Sequence, residues 1–182
     1  MGAKINLGAH MSFTVAGIDP GKTGAITFID PEEHTLEIFD MPVRQLKDDS
    51  KRSEVDAKAL FDICDPRNIK HGFIEEVWSR TGDGNVGAFN FGDSYGTAKT
   101  VLLAYDIELV RVLPNVWKKN MRAPRDKTLS RQRAVELFPA AKDLFKRVKD
   151  DGRAESAMIA LYGCFSLGFE FARPLTLIGG SN

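Results

Sequence analysis

Four acidic residues, spread over most of the chain, have the types and surroundings that a divalent metal site requires. Asp19 ends an apolar run and precedes Pro-Gly, and Glu75 lies in a second apolar segment. Asp151 and Glu155 stand four residues apart at the start of a helical pattern, so they share one helix face. Carboxylates in such positions are costly unless a cation meets them, and hard oxygen ligands suit Mg²⁺. The four acids therefore predict a Mg²⁺ site, with Mn²⁺ as a substitute, of the kind that hydrolyses phosphodiesters.

Strand geometry leaves one choice in this set open. Glu75 and Glu76 are neighbours in an extended segment, so their side chains must point to opposite faces and only one can meet Asp19. Alternation alone does not decide between them. Each acid also fits an ordinary role, as a turn residue, an exposed strand residue or a helix N-cap. The metal site is favoured because all the acids fall where one fold brings them together.

The charge distribution indicates a polyanionic partner, although the formal net charge is zero. Residues 111–149 carry twelve Lys or Arg against three acids, a net of +9, so the remainder carries −9. This asymmetry favours a basic nucleic-acid-binding face over a merely solvated helical face. Trp117, within the segment, is predicted to lie in the core. The predicted phosphate contacts are Lys118, Lys119, Arg122, Arg125 and Lys127.

Composition narrows the class of protein. A chain of 182 residues with 43% hydrophobic and 27% charged residues suits one well-cored domain, which we place at residues 11–182. Residues 1–10 resemble a cloning remnant, without the features of a targeting peptide. No apolar stretch approaches a membrane span, and two distant cysteines favour a reducing compartment. We expect a cytoplasmic protein of a bacterial or phage-infected cell, without a membrane partner.

The order of predicted elements defines the fold class. Apolar runs, turn signals and helical periodicity predict strands at 13–18, 25–30, 35–41, 71–78 and 107–113, and helices at 53–63, 88–105, from 114, at 129–138 and at 151–169. Residues 79–94 are predicted to begin as a Gly- and Asn-rich loop. This order predicts an α/β fold, with a five-stranded mixed sheet flanked by helices in the RNase H-like arrangement.

The segment after the first strand contains two look-alikes of phosphate-binding loops. Gly21-Lys22-Thr23 resembles the end of a Walker A loop, but the glycine required at position 16 is Ala16. Residues 19–24 resemble the first phosphate loop of actin-like ATPases and sugar kinases, which need two such domains where this chain has room for one. We therefore expect no nucleotide cofactor.

Three segments, taken in order, resemble the RuvC family of Holliday junction resolvases. They are Gly-Ile-Asp-Pro-Gly at 17–21 followed by Gly24, Ile-Glu at 74–75, and Asp-Gly-Arg-Ala-Glu at 151–155 before an Ala-rich helix. The last is closer to the phage and chloroplast branches than to the bacterial one. The resemblance extends from Ser12 to about Gly168.

This resemblance implies that Asp19, Glu75, Asp151 and Glu155 are the metal-binding catalytic residues, and it selects Glu75 over Glu76. The bacterial pattern has two Asp three residues apart, whereas the acids here are four apart. Asp150 therefore remains the alternative third ligand.

The resemblance also implies an activity and partners. It implies a homodimer acting as a crossover junction endodeoxyribonuclease, which nicks opposed strands of a four-way DNA junction symmetrically with Mg²⁺. The alternatives are a non-catalytic junction-binding protein, or an RNase H-like nuclease acting on other branched DNA or on RNA–DNA hybrids.

Residues 85–96 correspond to the region that lies near the junction crossover in relatives. There Asn85, Phe89 and Asn90 are the expected DNA contacts, because they lie nearest the loop and an aromatic ring can stack on unpaired bases. Phe91 and Tyr95 fit equally well a role in packing within the core or a dimer interface.

Overall fold

The computed structural model describes residues 12–47, 49–78 and 84–180. The segment expected to be a cloning remnant, residues 1–10, lies outside this part of the chain. None of the helices described is both long and apolar enough to cross a membrane. The elements are β1 (Thr14–Asp19), β2 (Ala25–Asp30), β3 (Thr35–Asp40), β4 (Val43–Leu46), β5 (Asp49–Val55), α1 (Ala57–Cys64), β6 (Ile69–Glu75), α2 (Asn85–Leu103), β7 (Glu108–Val112), α3 (Pro114–Met121), α4 (Lys127–Leu137), 3₁₀ turns at Pro139–Phe145 and Val148–Asp150, α5 (Asp151–Ser166) and β8 (Thr176–Gly180).

The central sheet is mixed and has the strand order β7-β6-β1-β2-β3-β8. Strands β1, β2 and β3 form an antiparallel meander, while β6 lies parallel to β1 and β7 lies parallel to β6. The predicted α/β class and flanking helices are confirmed, but the sheet has six strands and not five. The sixth, β8, pairs in parallel with β3. It was missed because a Gly-ending edge strand with an exposed Ile178 lacks a buried-strand pattern.

A second, two-stranded sheet formed by β4 and β5 replaces part of a predicted helix. Helix α1 begins only at Ala57, and its N-cap is Asp56, whose carboxylate accepts a hydrogen bond from the Ala59 amide at 3.1 Å. Ser53, the first residue of the predicted helix, lies instead in β5. The polar sequence of β5 offers little hydrophobic alternation, so its strand character depends on pairing with β4.

Alternation along β1 and β6 fixes which side chains face helix α5. Val15 and Phe73 belong to the apolar cluster that includes α5, while Ile18 and Ile74 belong to the cluster beneath α1 and α2. Because side chains alternate, residues of the same parity as Val15 and Phe73 also face α5. The sheet therefore directs Asp19 and Glu75 toward α5.

Two glycines let α5 lie in direct backbone contact with the sheet. A Cβ atom at Gly17 in β1 would come within 2.5 Å of the Ser156 carbonyl oxygen of α5. A Cβ atom at Gly152, in the first turn of α5, would come equally close to the Thr23 carbonyl oxygen in the loop after β1. Only residues without a side chain permit this approach. The first turns of α5 are therefore held against the end of β1.

Candidate active site

Strand register places two of the predicted acids side by side. Strands β1 and β6 are parallel neighbours in which Ile18 pairs with Ile74. The next residues, Asp19 and Glu75, therefore lie together at the carboxyl ends of both strands and on the face toward α5. Glu76 points to the opposite face, where its carboxylate lies 4.0 Å from the Arg111 guanidinium. Packing thus settles the choice that alternation alone had left open, in favour of Glu75.

Helix α5 brings a third acid to the same place. Burial, and after it the negative charges of Glu155 and Glu75, raise the pKa of Asp19 to about 8. A hydrogen bond from the Gly21 backbone and the charge of Lys118 act in the opposite direction without overcoming these effects. We call Asp19, Glu75 and Glu155 the acid cluster. Its negative charge is only partly neutralised by the protein.

Two neighbouring residues of α3 orient the acid cluster. The Trp117 indole Nε1 donates a hydrogen bond to Glu75 Oε1 at 3.1 Å, and Lys118 Nζ donates to Glu155 Oε1 at 2.9 Å. The prediction that Trp117 is a core residue is confirmed, since it is fully buried. Its polar edge has an additional role that the sequence did not indicate. Lys118, expected as a phosphate contact, also serves as the cation of the cluster.

The fourth predicted acid has a different environment. Asp151 Oδ1 accepts a hydrogen bond from Arg131 Nη1, and Asp151 Oδ2 lies 3.2 Å from Lys127 Nζ. Both carboxylate oxygens are thereby engaged by cations of α4. Lys127, predicted to contact phosphate, is the more exposed of the two. Asp151 thus lies on the same helix as Glu155 but is neutralised within the protein.

The alternative third ligand, Asp150, belongs to a separate buried network. Its side chain is only 1% exposed, and it accepts hydrogen bonds from the Arg147 amide at 2.7 Å and from Arg147 Nε at 3.0 Å. Burial opposes its ionisation, but the hydrogen bonds from Arg147 and the charge of Arg153 outweigh burial and lower its pKa. Arg153 in turn forms a two-pronged pair with Asp40 at 2.5 and 2.7 Å. We call Asp150, Arg147, Arg153 and Asp40 the arginine network.

Sequence reasoning missed the role of Arg153. The available signal was a charged residue inside an otherwise apolar helical pattern, which is rarely buried without a partner. Together with Gly152, this arginine accounts for the middle of the Asp-Gly-Arg-Ala-Glu segment. Both residues fix the start of α5, and neither belongs to the acid cluster.

The donor atoms of the acid cluster suit a hard divalent ion. All are carboxylate oxygens, and the raised pKa of Asp19 reflects negative charge that a cation would relieve. Within the described residues, however, no three acidic, His or Cys side chains stand close enough together to bind a metal as they are placed. Binding therefore requires side-chain movement, since Glu75 and Glu155 are turned toward Trp117 and Lys118.

A basic cleft of about 930 Å³ borders the site through α3. Arg122 ends α3 in a left-handed conformation with φ 52°, which is uncommon for a residue other than Gly or Asn. Trp78 forms another part of the wall and is 56% exposed. Four of the five predicted phosphate contacts line this cleft, namely Lys118, Lys119, Arg122 and Arg125.

A second cleft, of about 850 Å³, lies between the β4–β5 hairpin and the start of α2. The predicted DNA contacts Asn85, Phe89 and Asn90 line it, and Phe89 is 70% exposed. All three residues lie on α2, because the helix begins at Asn85 and not at residue 88 as predicted. Across the cleft, Lys22 Nζ donates to the Ser53 carbonyl oxygen at 3.0 Å.

Phe91 and Tyr95 lie on another side of α2. They line an apolar pocket of about 380 Å³ together with Val77 and Trp78. Tyr95 also packs against the buried cluster beneath α1 and α2. This arrangement favours the packing role for Tyr95.

Comparison with known proteins identifies the fold. No protein-family model and no curated protein sequence matches the chain. Among solved structures, it is similar to Thermus thermophilus RuvC in complex with a Holliday junction substrate, with 15% identity and a TM-score of 0.54 over 86% of this chain and 97% of that chain. A second Thermus thermophilus RuvC structure gives 16% identity and a TM-score of 0.52 over 86% and 98% of the two chains. The yeast mitochondrial Holliday junction resolvase Ydc2 gives 16% and 0.48 over 82% and 78%. The two Thermus thermophilus matches show that the chain has the RuvC type of RNase H-like fold, as the sequence resemblance implied.

Proposed function

We propose that this protein is a structure-selective DNA endonuclease that resolves four-way junctions by Mg²⁺-dependent phosphodiester hydrolysis. The observation that supports this most strongly is the convergence of Asp19, Glu75 and Glu155 on one face of the sheet. Acids drawn from two strands and a helix, and left partly unneutralised, are otherwise a cost to folding. Such a cost is expected where a site is kept for function.

The acid cluster is the proposed catalytic centre, and Asp19, Glu75 and Glu155, with Asp151 as a fourth candidate, would hold the divalent ion. When bound, such an ion supplies a more acidic attacking water and positive charge at the phosphate oxygens. Water adds to the scissile phosphorus, the P–O3′ bond breaks, and the departing 3′ oxygen takes up a proton. The products carry 5′-phosphate and 3′-hydroxyl ends, which can be religated.

Residues around the cluster would position the reacting groups. Trp117 fixes the orientation of the Glu75 carboxylate through its indole hydrogen bond. Lys118 bonds to the acid cluster and also lines the basic cleft, so it can contact the scissile phosphate both when DNA binds and during cleavage. Lys119, Arg122 and Arg125 would hold the flanking backbone, since such contacts supply much of the affinity for DNA.

A homodimer is part of the proposal. One subunit carries one acid cluster, whereas symmetric resolution of a four-way junction requires two cuts in opposed strands. Two copies related by a twofold axis would supply both cuts. The free, buried cysteines Cys64 and Cys164 agree with the proposed cytoplasmic location.

The proposal is tested by cleavage of synthetic DNA. We expect paired nicks in a mobile four-way junction with Mg²⁺ and none with EDTA, together with weak or absent cleavage of three-way, linear and RNA–DNA hybrid substrates. Asp19→Asn should abolish nicking and retain junction binding in a gel-shift assay. If the protein cleaves RNA–DNA hybrids or three-way substrates in preference to four-way junctions, its function is another RNase H-like activity and not junction resolution. Binding without cleavage under every condition would indicate a non-catalytic junction-binding protein.

A further inference from the structure

The ion pairs of Asp151 separate it from the acid cluster. Its Oδ1 is engaged by Arg131, whose side chain is only 9% exposed, and its Oδ2 is engaged by Lys127, whose side chain is 73% exposed. The charges that shift the pKa of Asp19 come instead from Glu155, Glu75 and Lys118. As placed, both oxygens of Asp151 are engaged by cations, so a divalent ion at either oxygen would compete with Arg131 or Lys127 for it.

The two cations differ in how easily they can leave. Arg131 is nearly buried and donates from a second nitrogen to Thr128 Oγ1 at 3.2 Å, so a guanidinium without Asp151 would be costly. Lys127 is the first residue of α4 and lies largely in solvent. An exposed ion pair of this kind is weak. Of the two, only the Lys127 pair is therefore easily broken by a competing anion.

The surroundings of Lys127 identify the competing anion. It follows Arg125, which lines the basic cleft, and it belongs to the segment with a net charge of +9. A DNA backbone held in that cleft would bring phosphate groups to the start of α4, where the exposed lysine attracts them although the Asp126 carboxylate already caps the helix. Phosphate would then replace Asp151 as the partner of Lys127.

We propose that Lys127 and Arg131 control Asp151 in a DNA-dependent manner. In the free protein Lys127 and Arg131 engage both carboxylate oxygens of Asp151. When DNA binds, Lys127 pairs instead with a phosphate of the DNA backbone. Asp151 Oδ2 then becomes free to join the acid cluster, while Oδ1 stays paired with Arg131. Arg131 is thus a positioning residue, and Lys127 couples completion of the metal site to the presence of substrate. This inference rests on the proposed function, since it assumes that the cluster binds a divalent ion.

The test uses Mn²⁺ binding to the full chain without DNA, measured by titration calorimetry and by electron paramagnetic resonance. Lys127→Gln should tighten Mn²⁺ binding about two- to fivefold, the range expected for loss of an exposed ion pair. Lys142→Gln removes the same charge from an exposed position of the same segment and should leave the affinity unchanged.

A double-mutant cycle separates this effect from a general change in charge. In an Asp151→Asn background, Lys127→Gln should no longer tighten Mn²⁺ binding, and Asp151→Asn alone should leave the affinity within twofold of wild type. Because Asp151→Asn removes the negative charge that pairs with the nearly buried Arg131 and so lowers stability, the comparison of Lys127→Gln with Lys142→Gln carries the test by itself. Equal Mn²⁺ affinities for those two variants overturn the inference, as does a tightening that persists without Asp151.

Junction cleavage by the same wild-type preparation distinguishes the two proposals. If the wild-type protein cuts the junction and Lys127→Gln leaves the Mn²⁺ affinity unchanged, the control of Asp151 is contradicted and the proposed function stands. If Lys127→Gln tightens Mn²⁺ binding but the wild-type protein cuts no junction, the proposed function is contradicted and the control of Asp151 stands.

Discussion

The acid cluster and the arginine network flank the same end of α5 and are built from the same kinds of residue, yet their energetics are opposite. In the arginine network, each carboxylate has an arginine partner, and the pKa of Asp150 is lowered. In the acid cluster, Lys118 pairs with Glu155, and burial together with the charges of Glu155 and Glu75 raises the pKa of Asp19 to about 8. We infer that the arginine network stabilises the start of α5, whereas the acid cluster lowers the stability of the folded protein. The network offsets part of that loss.

The largest effect on stability is expected from the arginine network. Arg153→Met should lower the free energy of unfolding by about 3 kcal/mol, because it removes the two hydrogen bonds to Asp40 and leaves the nearly buried Asp150 paired with Arg147 only. Thermal unfolding followed by circular dichroism measures the change. Arg44→Met, which removes an exposed pair with Glu54, is the control and should change the melting temperature little. Equal effects of the two substitutions would show that the network is not a major support.

The next effect concerns catalysis. Trp117→Phe keeps most of the buried ring but removes the hydrogen bond to Glu75, so kcat for junction nicking should fall roughly 10- to 100-fold, as for other partners that orient a ligand. The KM should change much less, since Trp117 is buried and does not line the basic cleft. Single-turnover cleavage over a range of junction concentrations separates the two. A change in KM with kcat unchanged would show that Trp117 does not position Glu75 for catalysis.

A smaller effect on the melting temperature is expected from the ionisation of Asp19 and Asp150, with opposite signs in the acid cluster and the arginine network. The pKa of Asp19 is higher in the folded protein than its ordinary value of 3.8, so ionising it costs stability progressively as the pH rises from about 4 to about 8. In EDTA, Asp19→Asn should therefore melt a few degrees above wild type at pH 8, with a smaller difference at pH 5. Asp150 has a lowered pKa, and Asp150→Asn should melt below wild type at neutral pH. Melting curves from pH 5 to 9 test both signs, and a destabilised Asp19→Asn at pH 8 would contradict the contrast.

The smallest effect concerns the basic cleft. Junction affinity should decrease steeply with salt, and Arg122→Gln should reduce the slope of log K against log[salt] by about 1, because one phosphate contact is lost. Fluorescence anisotropy at several salt concentrations gives the slope. Arg173→Gln, an exposed arginine outside the basic segment, is the control and should leave the slope unchanged. A slope unaffected by Arg122→Gln would place the DNA contact elsewhere.

Much of the fold could be predicted from sequence because local patterns agreed with tertiary packing. The apolar run before Asp19 and the helical pattern after Asp151 identified β1 and α5. The β4–β5 hairpin and β8 could not be identified, since polar or edge strands depend on their partners and carry little periodicity of their own. The start of α1 shifted for the same reason, since residues 53–55 of the predicted helix belong to β5.

The site was predictable in its residue types and less so in its electrostatics. Spacing alone placed Asp151 and Glu155 on one helix face, but it could not show that Arg131 and Lys127 neutralise the first while Lys118 meets the second. Those partners come from α3 and α4, so they depend on helix packing. The choice of Glu75 over Glu76 likewise required the knowledge of which face of β6 lies beneath α5.

The central claim is that the acid cluster is the nuclease centre, and it is tested most directly with the neighbouring acids of β6. Glu75→Gln and Glu76→Gln make the same chemical change one residue apart, on opposite faces of the sheet. Junction nicking with Mg²⁺ should fall by more than about 100-fold in Glu75→Gln, since the loss of a ligand exceeds that of an orienting partner. It should stay near the wild-type rate in Glu76→Gln. Similar rates for the two variants, or a larger loss in Glu76→Gln, would contradict the assignment of the acid cluster.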